Sequence, residues 1–175
     1  MKEKRLIYLG NLFYYETPIG EIGIAETNDK ITHLFFKHEE LEELNEKNQE
    51  LVETPILAEA ARQLKEYFDG KRHKFNLPLA PEGTDFMMRV WKALLTIPYG
   101  ETRSYKEVAM MTGNAKACRA VGMANNRNPI SIIIPCHRVI GTNGDLVGYG
   151  SGLDKKTYLL KLERKESKHH SNTEL

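Results

Sequence analysis

The chain has 175 residues, 41% of them hydrophobic and 28% charged, with 25 Lys and Arg against 24 Asp and Glu. This composition excludes collagen-like, coiled-coil and wholly disordered chains, and the length allows a core that needs neither disulfides nor a structural metal. The net charge of +1 speaks against a nucleic-acid partner only until the chain is divided: residues 1–83 hold 11 basic and 16 acidic side chains, residues 84–175 hold 14 and 8.

A positive second half is compatible with a phosphate-bearing ligand and is also ordinary for a globular domain. Cys118 and Cys136, the only cysteines, complete neither a disulfide framework nor a four-ligand zinc site. Residues 1–10 carry no signal-peptide pattern, and no apolar run approaches the roughly 20 residues of a membrane span. A reduced, cytoplasmic protein with no membrane partner is expected, which leaves room for a reactive thiol.

In chain order, residues 12–17, 22–26 and 31–36 are rich in β-branched and aromatic side chains. Turn chemistry separates them, at Pro18 to Gly20 and at Asn28 and Asp29, so an antiparallel meander is predicted. The acidic stretch 39–51 fits either a short amphipathic helix or a solvated linker. Ile56, Ala60, Leu64 and Phe68 recur every four residues and predict a helix over 56–68, stopped by Gly70. Two prolines and a glycine in 77–83 mark a boundary.

Thr84 is placed to cap a helix over 85–95, with Phe86, Val90, Trp91 and Leu94 on one face. Ser104 and Glu107 form a capping-box pattern, and a Gly-containing turn at 111–114 joins helices over 104–113 and 114–126. The spacing fits a helix-turn-helix and equally two packed helices with no ligand. The second helix is small-sided, which allows close approach to another surface. Residues 130–134 read as a buried strand, 142–145 as a turn, 148–153 as a Gly-rich loop and 155–164 as a basic helix.

Cys136 is the first candidate for chemistry. His137 and Arg138 follow it directly, and nearby positive charge favours the nucleophilic thiolate. On a strand, adjacent side chains point to opposite faces, so proton transfer from Cys136 to His137 needs a kinked backbone or a bridging water. His137 also needs an orienting carboxylate, for which Glu163 is one candidate.

These segments resemble the O6-alkylguanine-DNA alkyltransferases, or methylated-DNA–protein-cysteine methyltransferases. The resemblance rests on GETRSY at 100–105, RAVG at 119–122, NPI at 128–130 and IPCHRVIG at 134–141. It extends to Gly148, Tyr149 and Leu153, to LLKLE at 159–163, and upstream to QLKEYFDGK at 63–71. It implies an α/β chain of the α+β kind, with an N-terminal antiparallel sheet and helix and a mostly helical C-terminal domain. The units expected are a supporting domain at 1–80, a DNA-binding and catalytic domain at 84–166, and a disordered tail at 167–175.

The resemblance further implies repair of double-stranded DNA by a monomer without cofactor. A guanine alkylated at O6 is flipped from the duplex, because a stacked base hides the reacting carbon. Cys136 then keeps the alkyl group as a thioether and acts once; O4-methylthymine is an expected second lesion. By the same resemblance His137 is the base acting through a water, Glu163 its orienting carboxylate, and Tyr105 the donor to the departing guanine. Arg119 fills the gap left by the base, and Asn128 ties the helix-turn-helix to the active-site segment. The carbonyls of Cys136 and Val139 accept from the guanine amino group. Tyr149, Gly150 and Ser151 belong to the pocket loop, with donors to O6 around Gly150 and Ser151. Ala117, Ala120 and Gly122 let the second helix lie in the minor groove.

The chain departs from the family pattern at Ala115, Cys118 and Ser151, where proline, alanine and glycine are usual. The cysteines of a zinc-binding N-terminal domain are absent, so no metal is expected. Competing readings are a lesion sensor, which would lack Cys136, a Cys–His hydrolase, which needs an oxyanion hole, and a helix-turn-helix regulator.

Overall fold

A computed structural model describes residues 9–37 and 50–171, with side chains to residue 165. Strands β1 (Asn11–Thr17), β2 (Gly20–Thr27) and β3 (Lys30–Phe36) form an antiparallel meander in the order β1-β2-β3. The β2–β3 turn is the two-residue kind that needs a left-handed backbone at both positions, and Asn28 (φ 53°) and Asp29 (φ 58°) supply it. The predicted helix or linker at 39–51 falls almost entirely outside the described residues.

Helix α1 (Pro55–Phe68) packs on this sheet. Its buried face is centred on Leu57, Ala60, Leu64 and Tyr67, rotated from the predicted stripe, with Ile56 and Phe68 at its margins. Gly70, at φ 74°, lets the chain leave the helix. The proline-rich boundary that follows lies along the outer edge of β3. Ile31 N–H donates to Pro78 O and Ala80 N–H to Ile31 O, both at 2.8 Å.

Thr84 Oγ1 accepts from Met87 N at the start of helix α2 (Asp85–Leu95), as its sequence predicts. Trp91 on this helix donates its indole N–H to Ala124 O at 2.9 Å. The capping box also forms, with Ser104 and Glu107 exchanging hydrogen bonds at the start of helix α3 (Tyr105–Met111). The next helix is shorter than expected: α4 covers Cys118–Asn126. Asn114 diverts the chain first, its Oδ1 accepting from Lys116 N and its carbonyl from Ala117 N, a local turn that competes with helix.

The predicted strand at 130–134 does not form. Ile132 sits at φ 69°, a left-handed conformation that a β-branched residue rarely adopts, and the segment folds into a turn closed by Ile134 N–H to Ile130 O. Burial of Ile130, Ile132, Ile133 and Ile134 offsets the backbone strain. The turn docks on β3: Leu34 N–H donates to Pro129 O (2.8 Å) and Ser131 N–H to Leu34 O (3.0 Å). A single 3-10 turn, Cys136–Arg138, leads into β5 (Val139–Ile140), which pairs in parallel with β4 (Arg103–Ser104).

Helix α5 (Leu153–Ser171) exceeds the predicted 155–164 and enters the segment expected to be a disordered tail. No glycine or proline interrupts 153–171, so helical propensity continues the element. One continuous buried cluster joins both halves, from Ile22 and Leu34 of the sheet through Leu57 and Tyr67 to Val90, Val121, Cys136 and Leu159.

Candidate active site

Cys136 opens the 3-10 turn rather than ending a strand. Proline-restricted backbone before it and the left-handed turn around Ile132 bend the chain, so Cys136 and His137 are not fixed on opposite faces of a sheet. The thiol is 3% exposed. Burial pushes it above the ordinary thiol range, against the pull of the Asn128 amide, the Lys156 ammonium and the backbone N–H groups of Cys136 and His137. The resting sulfur is therefore a protonated thiol that needs a base.

His137 is fully buried and its Nε2 lies 2.7 Å from Glu163 Oε1. Burial lowers its pKa, Glu163 opposes that fall, and the neutral ring results. With its proton on Nε2 toward the carboxylate, Nδ1 is left as an acceptor, and it has no hydrogen-bond partner among the described residues.

Glu163 collects further donors. Arg138 gives Nε to Oε2 (2.9 Å) and Nη2 to Oε1 (3.0 Å), Gly100 N–H reaches Oε2 (3.2 Å), and Tyr67 OH reaches Oε1 (2.7 Å). Burial alone would raise the Glu163 carboxyl, but His137 and Arg138 together hold it well below the usual carboxylate range. Arg138 also donates to Ile97 O at 2.7 Å. Its guanidinium is thus committed to Glu163, whereas the sequence placed that positive charge beside the sulfur. Lys156 is the cation that acts on the thiol.

Tyr105, the first residue of α3, donates its hydroxyl to Val147 O at 2.9 Å. Burial raises its pKa, the neighbouring Cys136 adds to the rise, and Asn125 opposes it. Tyr149 is nearly buried; burial and then Cys136 beside its hydroxyl raise that group well above its ordinary range. Asn128 donates Nδ2 to Ile134 O (2.8 Å) and accepts Ile130 N–H on Oδ1 (3.0 Å), clamping the left-handed turn from the end of α4.

The remaining residues divide between the pocket loop and the surface. Gly150 is exposed and Ser151 half-buried beside it. Arg119 and Ala120 are exposed on α4 together with Met123 and Asn126, and Arg127 is exposed just beyond its end. Ala117 and Gly122 are half-buried: Ala117 packs against the core, and a Cβ on Gly122 would lie 4.0 Å from the Tyr105 ring. Of the three small residues expected to face a groove, Ala120 alone lies on the outer surface.

Residues 85–165 match the family model described as the DNA binding domain of 6-O-methylguanine DNA methyltransferase, and residues 13–81 match its ribonuclease-like domain. The methylated-DNA--protein-cysteine methyltransferase of Methanosarcina barkeri is 54% identical, covering 85% of this chain and 93% of its own. The constitutive enzyme of that name from Bacillus subtilis is 53% identical, covering 85% and 92%. This chain belongs to the 6-O-methylguanine DNA methyltransferase family.

Among solved methyltransferase structures, that of Mycobacterium tuberculosis OGT in complex with DNA is similar, with a TM-score of 0.80 at 45% identity over 89% of this chain and 94% of that one. The Mycobacterium tuberculosis O6-methylguanine methyltransferase has a TM-score of 0.78 at 42% identity over 89% and 93%. Against this methyltransferase fold, three side chains at the site escaped sequence reasoning. Lys156 is fully buried, donating Nζ to Val139 O (2.5 Å) and Val147 O (2.9 Å). Asn125 donates Nδ2 to Cys136 O at 3.2 Å, and Tyr67 holds Glu163. Helical spacing carries the signal for Lys156, since Leu159, Leu160 and Glu163 follow it at i+3, i+4 and i+7. For Tyr67 the signal is its place on one helical face, at i+10, i+7 and i+3 from Leu57, Ala60 and Leu64.

Among the described residues no three His, Cys, Asp or Glu side chains are grouped to hold a metal ion. No described helix is long and apolar enough to cross a membrane.

Proposed function

We propose that this protein repairs DNA by moving the alkyl group of O6-alkylguanine, and of O4-methylthymine, onto Cys136 in a single turnover. Membership of the methyltransferase family supports the reaction class. The observation that carries the assignment of residues is the buried His137, whose Nε2 is held by Glu163 and whose Nδ1 is left open as a proton acceptor.

The thiol proton passes through a water to His137 Nδ1, and Glu163 stabilises the imidazolium that forms. The Cys136 sulfur forms a bond to the alkyl carbon as the bond from that carbon to O6 breaks. The electron pair goes to the guanine ring, which takes a proton from Tyr105 and is left as normal guanine. The Tyr105 phenoxide regains a proton from solvent as the His137 imidazolium gives one up, so the net change moves the thiol proton to guanine. A thioether is a poor leaving group, so no second step regenerates the thiol.

Binding follows the same residues. Arg119, exposed and free of hydrogen bonds or ion pairs among the described residues, fills the stack behind the flipped base. The carbonyl of Val139 accepts from Lys156 and keeps its second lone pair for the guanine amino group. That of Cys136 already accepts from Val139 N–H and from Asn125, and takes the amino group in exchange for the Asn125 amide. Tyr149, Gly150 and Ser151 line the O6 side, Asn128 fixes the segment that carries the thiol, and α4 docks in the minor groove through Ala120, with Ala117 and Gly122 letting it seat closely on the core. The protein acts as a monomer on double-stranded DNA, in a cytoplasm reducing enough to keep both free thiols.

Incubation with duplex DNA containing O6-methylguanine, followed by intact-mass measurement and peptide mapping, tests this. One methylene of added mass per protein, on Cys136 and absent from Cys136→Ala, is expected. Repeated turnover, or the mass on another residue, contradicts it.

A further inference from the structure

Four of the donors to Glu163 come from the C-terminal half of the chain; the Tyr67 hydroxyl comes from α1 in the N-terminal half, 96 residues away. Its contact is with Oε1, the oxygen that also takes the His137 Nε2 proton, each at 2.7 Å. The Tyr67 ring is fully buried and fixed on three sides, with Phe68, Phe75 and Tyr99 at centroid distances of 5.5, 5.5 and 6.1 Å. A side chain held this firmly delivers its hydroxyl in one direction.

We infer that Tyr67 is a positioning residue for alkyl transfer, through which the N-terminal half sets the orientation of Glu163 and the basicity of His137. The inference rests on the reading of His137 as the proton acceptor. A carboxylate oxygen shared between two donors presents less negative charge to each. With Tyr67 engaged, Glu163 steadies the imidazole yet stabilises the imidazolium less than an unshared carboxylate would. His137 then stays neutral near pH 7, with Nδ1 ready. Without the hydroxyl, Glu163 draws the Nε2 proton more strongly and its carboxylate plane is less constrained.

The test is the rate of methyl transfer to Cys136 as a function of pH, using the full chain and duplex DNA containing O6-methylguanine. In wild type an acid limb reports protonation of His137, and His137→Asn removes that limb. Tyr67→Phe is expected to move the limb upward by about half a pH unit or more and to lower the plateau several-fold. Leu57→Ala, in the same helix and away from Glu163, should lower the melting temperature and leave the limb in place. A Tyr67→Phe profile that superimposes on wild type, or one that Leu57→Ala reproduces, overturns the role of Tyr67 while leaving the base assignment intact. Persistence of the limb in His137→Asn overturns the base assignment itself. Should Tyr67→Phe fail to fold, 3-fluorotyrosine at position 67 keeps the ring and strengthens the donor. It is expected to move the limb downward, and no movement overturns the inference.

Discussion

Lys156 and Tyr105 share one acceptor: the carbonyl of Val147 takes the ammonium at 2.9 Å and the phenol hydroxyl at 2.9 Å. Lys156 also holds Val139 O, so a single buried cation ties β5 to the pocket loop and fixes the oxygen on which the proposed proton donor rests. Burial lowers the Lys156 pKa from 10.5 to about 8, and Cys136 opposes the shift.

That depressed pKa has a sign. Between about pH 8 and 10.5 the unfolded chain binds this proton and the folded one does not, so the contribution of Lys156 to stability rises with pH across that window. Urea unfolding of wild type and Lys156→Met at several pH values checks it. The stability difference should move in favour of wild type as pH rises from 8 to 10; a difference that is flat with pH contradicts the burial of a titrating amine.

Glu163 carries the same sign in a more acidic window, because its folded-state pKa is also depressed. Its carboxyl is held below its ordinary value of 4.5, so its stabilising contribution is complete above that value and is lost as pH falls toward the lower folded one. Glu163→Gln leaves the buried Arg138 guanidinium without its counter-charge, at an expected cost of about 3–5 kcal/mol. It should also blunt the acid unfolding transition. Equilibrium unfolding at pH 7 and pH 4 measures both, and a loss below about 1 kcal/mol would falsify the view that Glu163 is the electrostatic centre of the site.

Gly148 is at φ 66°, and a Cβ there would lie 3.0 Å from the Tyr105 hydroxyl. Gly148→Ala is expected to cost about 1–2 kcal/mol through the left-handed backbone and to push Tyr105 off Val147. Alkyl transfer should slow while DNA binding is retained, and Tyr105→Phe should show the same pattern without the stability loss. Single-turnover rates and gel-shift affinities distinguish the cases. Collapse of DNA binding in Tyr105→Phe would exclude a proton-donor role.

Arg119→Ala should slow repair of O6-methylguanine in duplex DNA and leave the reaction with the isolated alkylated base unchanged, because only the duplex has a gap to fill. Rates with both substrates decide this. An equal loss on both would place Arg119 in the chemistry instead.

Much of this architecture was legible in the residues. The β-branched runs, the two turns, Thr84 and the Ser104–Glu107 box each determine local structure by short-range chemistry, and each forms. Ile130 to Ile134 misled because apolarity reports burial and not backbone conformation: the run is buried, but as a turn whose left-handed Ile132 is held by Asn128. His137 and Glu163 came together as their types suggested. Arg138, Lys156 and Tyr67 did not, because charge and aromaticity alone carry no direction. Only the fold turns Arg138 to Glu163 and buries Lys156 beneath two carbonyls.

The outer edge of β3 adds a temporal constraint. Leu34 finds partners for its N–H and C=O only in Pro129 and Ser131, almost one hundred positions later in the chain. During synthesis from the N-terminus Pro78 and Ala80 can cover the Ile31 end of that edge, but the Leu34 end stays unsatisfied until the segment preceding Cys136 has left the ribosome. The step that closes the edge also sets the left-handed turn before the thiol. The last long-range pairing of the sheet and the assembly of the nucleophile segment are one folding event, so a nascent chain stalled before residue 131 would carry an open strand edge prone to self-association.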